Sequence, residues 1–181
     1  MKIKKIIGLI IMILIYNNCM SQNKEYIVTF DNDTIYGKVK RRTDLGGPKL
    51  TQFHYKFKED NKKYRPIKPS EVKFFHTIDG VDGDAFFVSR DKHFFLERIV
   101  DGEIRLFKSV VSLANEKPSY YYIKNNSILR STSIGTSRKK SHGQIRTLLE
   151  DKPKILQEFE TLKGSLDNIK YIIEKYNNAK N

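Results

Sequence analysis

Cysteine is almost missing from this chain: Cys19 is the only one in 181 residues. One cysteine forms no internal disulfide, so the fold must be held by its core. Catalytic signatures are missing too. The sequence has no Gly-x-Ser-x-Gly elbow, no P-loop and no dinucleotide fingerprint. Its four histidines, His54, His76, His93 and His142, fall into no HxH or HxxxH pair. A zinc site would need histidines from separate elements. Acids are scarce beside bases, 21 Asp and Glu against 34 Lys and Arg, for a formal net charge of +13. No apolar run reaches the roughly 20 residues that a membrane-spanning helix needs.

The longest apolar run, residues 6–16, has another reading. Lys2, Lys4 and Lys5 precede it, and Asn17-Asn18-Cys19-Met20-Ser21-Gln22 follows. A basic start, an apolar stretch of about 11 residues and small residues at −3 and −1 make a cleavable secretory signal. The expected cut lies between Ser21 and Gln22, leaving 160 of the 181 residues and a charge of +10 once the three lysines are gone. The mature chain then has no cysteine, which excludes a thiolate nucleophile or a cysteine zinc site. Two alternatives stay open. One is a lipoprotein acylated on Cys19, although Asn18 and Tyr16 stand where a small residue and Leu are usual. The other is an uncleaved anchor. The expected location is periplasmic or secreted, with no transmembrane helix in the mature chain.

Residues 22–132 read as repeated strand and turn. Residues 26–30 and 34–40 flank the polar turn Asp31-Asn32-Asp33, with Ile35, Gly37 and Val39 on one face. Gly46-Gly47-Pro48 marks a loop. Phe53, Tyr55 and Phe57 then alternate with polar residues, as in a half-buried strand. Further strands are expected at 62–67, 72–78 and 85–89. Asp101-Gly102 joins 93–100 to 103–110, a strong hairpin signal, and Asn125-Asn126 joins a last pair. About ten short strands with tight turns predict an antiparallel multi-hairpin sheet or barrel-like meander, hence an α+β, mainly β, fold.

Two or three C-terminal helices follow. Residues 133–140 read as a basic linker. Ser141 with Gln144 reads as a capping box, Asp151 as the cap of a second helix with Pro153 in its first turn, and Ser165 as the cap of a third. Ile145, Leu148 and Leu149, then Ile155, Leu156, Phe159 and Leu162, then Leu166, Ile169, Ile172, Ile173 and Tyr176 form apolar stripes. The segment 141–181 is expected to pack on the β domain.

Residues 33–39, 95–104 and 172–177 resemble segments of small, uncharacterised exported proteins of Bacteroidota-type bacteria. The resemblance spans most of the mature chain. It implies an exported β-rich domain with a helical tail and no activity to carry over. Members often have a cysteine near Lys152, and this chain does not.

Several residues bear weighing as sites. Asp79, Asp82 and Asp84, with Gly80 and Gly83, offer hard oxygens for calcium. Their spacing and Arg90 at the twelfth position miss the EF-hand pattern, so ordinary turn chemistry is the first reading. Glu97 or Glu103 could supply a carboxylate pair, as any β protein could. Lys38, Lys40, Arg41 and Arg42, with Arg138, Lys139 and Lys140, make a possible anion-binding patch, and the Tyr120–Tyr122 run supplies aromatics. If the patch is real, these bases gather on one face. No cofactor is implied. The expected function is a non-enzymatic exported binding module whose partner is an envelope protein or an anionic envelope surface, not nucleic acid. The alternatives are an envelope-associated hydrolase with a site assembled from distant residues, and a binder of anionic lipid or lipopolysaccharide phosphate.

Overall fold

The computed structural model describes residues 24–41, 55–79, 82–109, 118–125, 127–131 and 138–179. The expected cleavage site, Cys19, Arg42, His54, Gly80 and residues 133–137 lie outside them. Ten strands form one antiparallel sheet: β1 (Glu25–Thr29), β2 (Thr34–Arg41), β3 (Tyr55–Lys58), β4 (Arg65–Pro66), β5 (Val72–Thr77), β6 (Ala85–Arg90), β7 (Phe94–Val100), β8 (Arg105–Ser109), β9 (Tyr120–Lys124) and β10 (Ser127–Ser131). Three helices follow, α1 (Arg138–Leu149), α2 (Pro153–Thr161) and α3 (Leu166–Asn178). No helix among the described residues is long and apolar enough to cross a membrane.

The strand order is β10-β9-β8-β7-β6-β5-β1-β2-β3-β4. The first described strand therefore lies inside the sheet: β1 pairs with β2 on one side and β5 on the other. The β1–β2 hairpin forms where Asn32 takes φ +67°, a conformation asparagine tolerates.

A short connection shapes the first half. In a flat sheet, four strand spacings would part β4 from β5 by roughly 19 Å. Yet Ile67 still bonds back to Tyr55, and the Val72 amide already reaches the Lys68 carbonyl at 3.0 Å. A single tight turn bridges the gap, so the sheet must curl. Its inner face carries Ile27, Val39, Tyr55, Phe57, Ile67, Val72, Phe75, Ala85, Phe87 and Phe95. Tyr55 of β3 meets Phe87 of β6 at 4.8 Å between ring centroids, although β2, β1 and β5 lie between them in the sheet. Phe75 stacks on Phe87 and meets Phe95 edge-on. Each buried ring contributes about 2 kcal/mol from area alone. Gly37 allows the curl: a Cβ there would lie 2.7 Å from the Phe57 ring and 2.2 Å from the Lys58 carbonyl. The curl is held by side chains, not by a closing ladder. Asp82 takes Arg41 at 2.7 Å and the Tyr55 hydroxyl at 3.1 Å, and Ser89 donates to the Pro69 carbonyl. The meander is thus curled but not closed.

At the start of β1 a side chain extends the ladder. Glu25 is buried, and its carboxylate accepts the Val39, Ile78 and Asp79 amides at 2.7, 3.0 and 3.2 Å. It thereby joins β2 to the end of β5 at the first residue of β1.

The second half hides its face under the helices. Leu106 and Tyr122, with Leu129 against them, align across β8–β10. They share a core with Ile145, Leu149, Phe159, Ile169, Ile172, Ile173 and Tyr176. A half-exposed Glu97–Lys108 pair at 3.0 Å lies on that same side, between the two cores.

Tyr176 and Asn177 fasten α3 to the sheet. The buried Tyr176 hydroxyl donates to Asp151 at 2.5 Å and lies 2.8 Å from Glu103, while Lys124 and Lys152 lie 4.6 and 4.3 Å from its ring centre. Asn177 accepts the Ile104 amide and donates to the Asp101 and Ile104 carbonyls. The hairpin it grips needs Gly102, with φ +137° and no room for a Cβ against Asn177. Burial is the largest single influence on the Asp151 carboxyl and raises its pKa, but hydrogen bonds from Lys124 and Tyr176, with its own amide and the Lys124 charge, together outweigh it and hold the acid below its ordinary value.

Two expectations change here. α1 begins at Arg138, not Ser141, because nothing in Arg138-Lys139-Lys140 resists a helix. Asp151 does not cap α2, whose N-cap is Lys152 without a side-chain bond, because its carboxylate is taken by Lys124 and Tyr176. Ser165 does cap α3.

Substituting Glu25→Ala strands three amides and is expected to cost about 3 kcal/mol in urea denaturation. Tyr122→Phe, which removes a buried hydroxyl with no partner among the described residues, is expected to be neutral or stabilising. Acid tests the α3 clasp. Asp151 contributes stability above its unfolded value near 3.8, and that contribution is lost as pH falls through the lower folded value. An Asp151→Asn variant is expected to show a flatter acid limb.

Candidate binding face

Residues opposite the curled core point outward, because side chains alternate along a strand. Pairing aligns them in rows. Tyr36, Tyr26, His76, Phe86 and Arg98 follow one another across β2, β1, β5, β6 and β7. Tyr26 meets Tyr36 at 6.0 Å and 61°, and Phe74 at 6.4 Å and 82°. The Arg98 guanidinium lies 3.8 Å over the Phe86 ring. Tyr26, Tyr36, Phe74, His76, Thr34 and Lys24 line an open groove of about 440 Å³. Burial, above all, raises the Tyr26 hydroxyl pKa, with Arg98 pulling the other way. It stays protonated at neutral pH and can both donate and accept.

The groove runs into a basic strip. On β2, Tyr36, Lys38 and Lys40 are exposed at alternate positions. Across the ladder Lys38 faces Lys58, and Lys40 faces Lys56. Directly opposed like charges destabilise a sheet. Lys38 reaches Asp79 at 3.1 Å, a solvent-exposed pair of little worth. No carboxylate pairs with Lys40, Lys56 or Lys58 among the described residues, and Lys58 lies 6.0 Å over the Tyr64 ring.

The expected anion patch is therefore divided. Lys38 and Lys40 point outward, but Arg41, one residue on, turns to Asp82 on the curl. Arg138, Lys139 and Lys140 begin α1, which packs on β10 at the other end of the sheet. They do not join β2. The sequence reading missed Lys56 and Lys58; their signal was alternation with Tyr55 and Phe57, but only the β2–β3 register shows what they face.

The three aspartates do not converge as calcium ligands would. Asp79 turns to Lys38, Asp82 to Arg41 and Tyr55, and Asp84 to His76 at 2.7 Å. No group of three or more metal-ligating side chains occurs among the described residues. Glu97 is paired with Lys108, and Glu103 accepts from Tyr176. Tyr120 and Tyr122 enter the core, which leaves only Tyr121 of that run on the opposite face. His93 is exposed in the β6–β7 turn, and His142 lies in α1. Comparison with models of protein families, with curated proteins and with solved structures gives no match for this chain.

Replacing Lys56 and Lys58 together by Gln relieves two cross-strand repulsions. The pair of substitutions is expected to raise unfolding stability by about 0.5 kcal/mol in urea titration. Millimolar calcium is expected to leave the thermal midpoint unchanged.

Proposed function

We propose that this protein is a non-enzymatic binding module, exported to the cell envelope or beyond, that engages its partner through the outer face of β5, β1, β2 and β3. One observation carries the reading: an open groove of tyrosines and Phe74 is continuous with a strip in which Lys40, Lys56 and Lys58 pair with no carboxylate among the described residues. A protein does not hold like charges face to face for stability, so their use lies in a partner. The leader-like residues 1–21 and the resemblance to small exported proteins support the compartment.

The hydrolase alternative has one observation in its favour, the His76–Asp84 contact at the groove rim. Asp84 is 83% exposed, however, and no hydroxyl bonds to His76 among the described residues. An acid so open to water does little to orient or charge an imidazole. The arrangement serves the groove wall better than it serves a nucleophile.

Capture from native envelope after mild crosslinking, with wild-type protein and the Tyr36→Ala variant, tests the face. Retention by wild type and loss with Tyr36→Ala is the expected outcome. Equal capture by both would overturn the assignment of this face. Turnover of an ester or glycan panel that disappears in His76→Ala would favour the enzyme instead.

A further inference from the structure

We infer that the ligand of this face is an acidic sugar chain, lying along β2 with a sugar ring on Tyr36 and its acid groups on the lysines opposite. This rests on the reading of the face as a binding surface and goes further by naming the ligand chemistry.

Three features carry it. The first is charge. Lys38, Lys58, Lys40 and Lys56 form two facing pairs, and among the described residues the exposed Asp79 is the only acid paired with any of them. Successive pairs along a strand lie roughly 7 Å apart, two residues on. An anionic chain that follows β2 meets one lysine pair after another, and each acid group bridges a pair whose mutual repulsion it relieves. A single small anion would satisfy only one pair.

The second feature is the groove. Its aromatic rings stand edge to face, at 61° and 82°. They offer one half-exposed ring, Tyr36 at 50%, and not a series of parallel faces for successive bases. A base-stacking platform needs several such faces. Lining the groove with that ring are Tyr26, Thr34 and His76, and the Lys24 ammonium lies 5.9 Å over it. These donors and acceptors match the hydroxyls of a sugar.

The third is what the strip omits. A membrane surface takes apolar side chains into its boundary. Among the described residues, the exposed large side chains beside these lysines are Tyr36 and Tyr64, both with polar ends, whereas exposed Phe30 and Phe94 lie at the β1–β2 turn and the start of β7. The strip is built for a hydrated polymer.

The test titrates the purified protein with oligogalacturonate, a neutral maltooligosaccharide, single-stranded oligothymidylate and vesicles containing phosphatidylglycerol, at low and high salt. Oligogalacturonate is expected to bind, more weakly as salt rises, and the neutral sugar to bind at least about tenfold less well. Lys56→Gln with Lys58→Gln is expected to weaken binding about tenfold and to flatten the salt dependence. Tyr36→Ala is expected to weaken it without changing that dependence. Thermal midpoints of the variants at or above wild type exclude misfolding as the cause. Tighter binding of oligothymidylate or vesicles would overturn the inference, as would oligogalacturonate binding indifferent to Tyr36, which is generic polyanion attraction. If no sugar binds while envelope capture still depends on Tyr36, the sugar inference falls and the binding-module reading stands.

Discussion

The tight turn between β4 and β5 is the constraint on which this structure depends. It brings the outermost strand of one flank back to a strand four places away in the sheet. The sheet can obey only by curling, and curling gives its first half a core without a second layer. Tyr55, Phe75, Phe87 and Phe95 then pack on one another across the curl. The second half takes the helices as its cover instead. Both halves bury the same side of the sheet. On the convex side Val28, Leu96 and Phe107 are buried as well, while Tyr36, Lys38 and Lys40 are exposed, and there lie the groove and the lysines.

The curl also decides which charges are structural. Arg41 is drawn to Asp82, with Tyr55 as a third member whose hydroxyl burial and the nearby aspartate keep protonated. That group holds β3 to the β5–β6 loop. Glu25 does similar work at the start of β1, and a buried carboxylate with three amide donors is well compensated. Lys40, Lys56 and Lys58 have no such duty. The division between charges that close the fold and charges that face outward follows strand alternation.

Much of the fold was legible because its signals are local. Asp31-Asn32-Asp33 and Asp101-Gly102 name their hairpins from turn chemistry, and the stripes of Ile, Leu and Phe after residue 141 name a helical cover. What was hidden is non-local. Nothing in Tyr26 announces that its neighbour is His76, fifty residues on. Asp151 looks like a helix cap until Lys124 and Tyr176 arrive from other elements. The 22–132 and 141–181 segments read as a body and an appendage, yet Leu106, Tyr120 and Tyr122 of β8 and β9 share their core with α1–α3. For the site, Lys38 and Lys40 were visible as a basic run. Lys56 and Lys58 were visible only as the polar half of a strand, and their opposition to the first two is a matter of register.

The central claim is that the outer face of the curled half is the working surface. Lysine-reactivity footprinting in native envelope extract tests it most directly, since lysines are spread over the whole molecule. The account predicts that Lys40, Lys56 and Lys58 lose reactivity together in the extract, while exposed Lys154 and Lys170 on the helices keep theirs. Protection of the helical lysines with the β2–β3 lysines left reactive would place the working surface on the other side of the molecule and contradict the account.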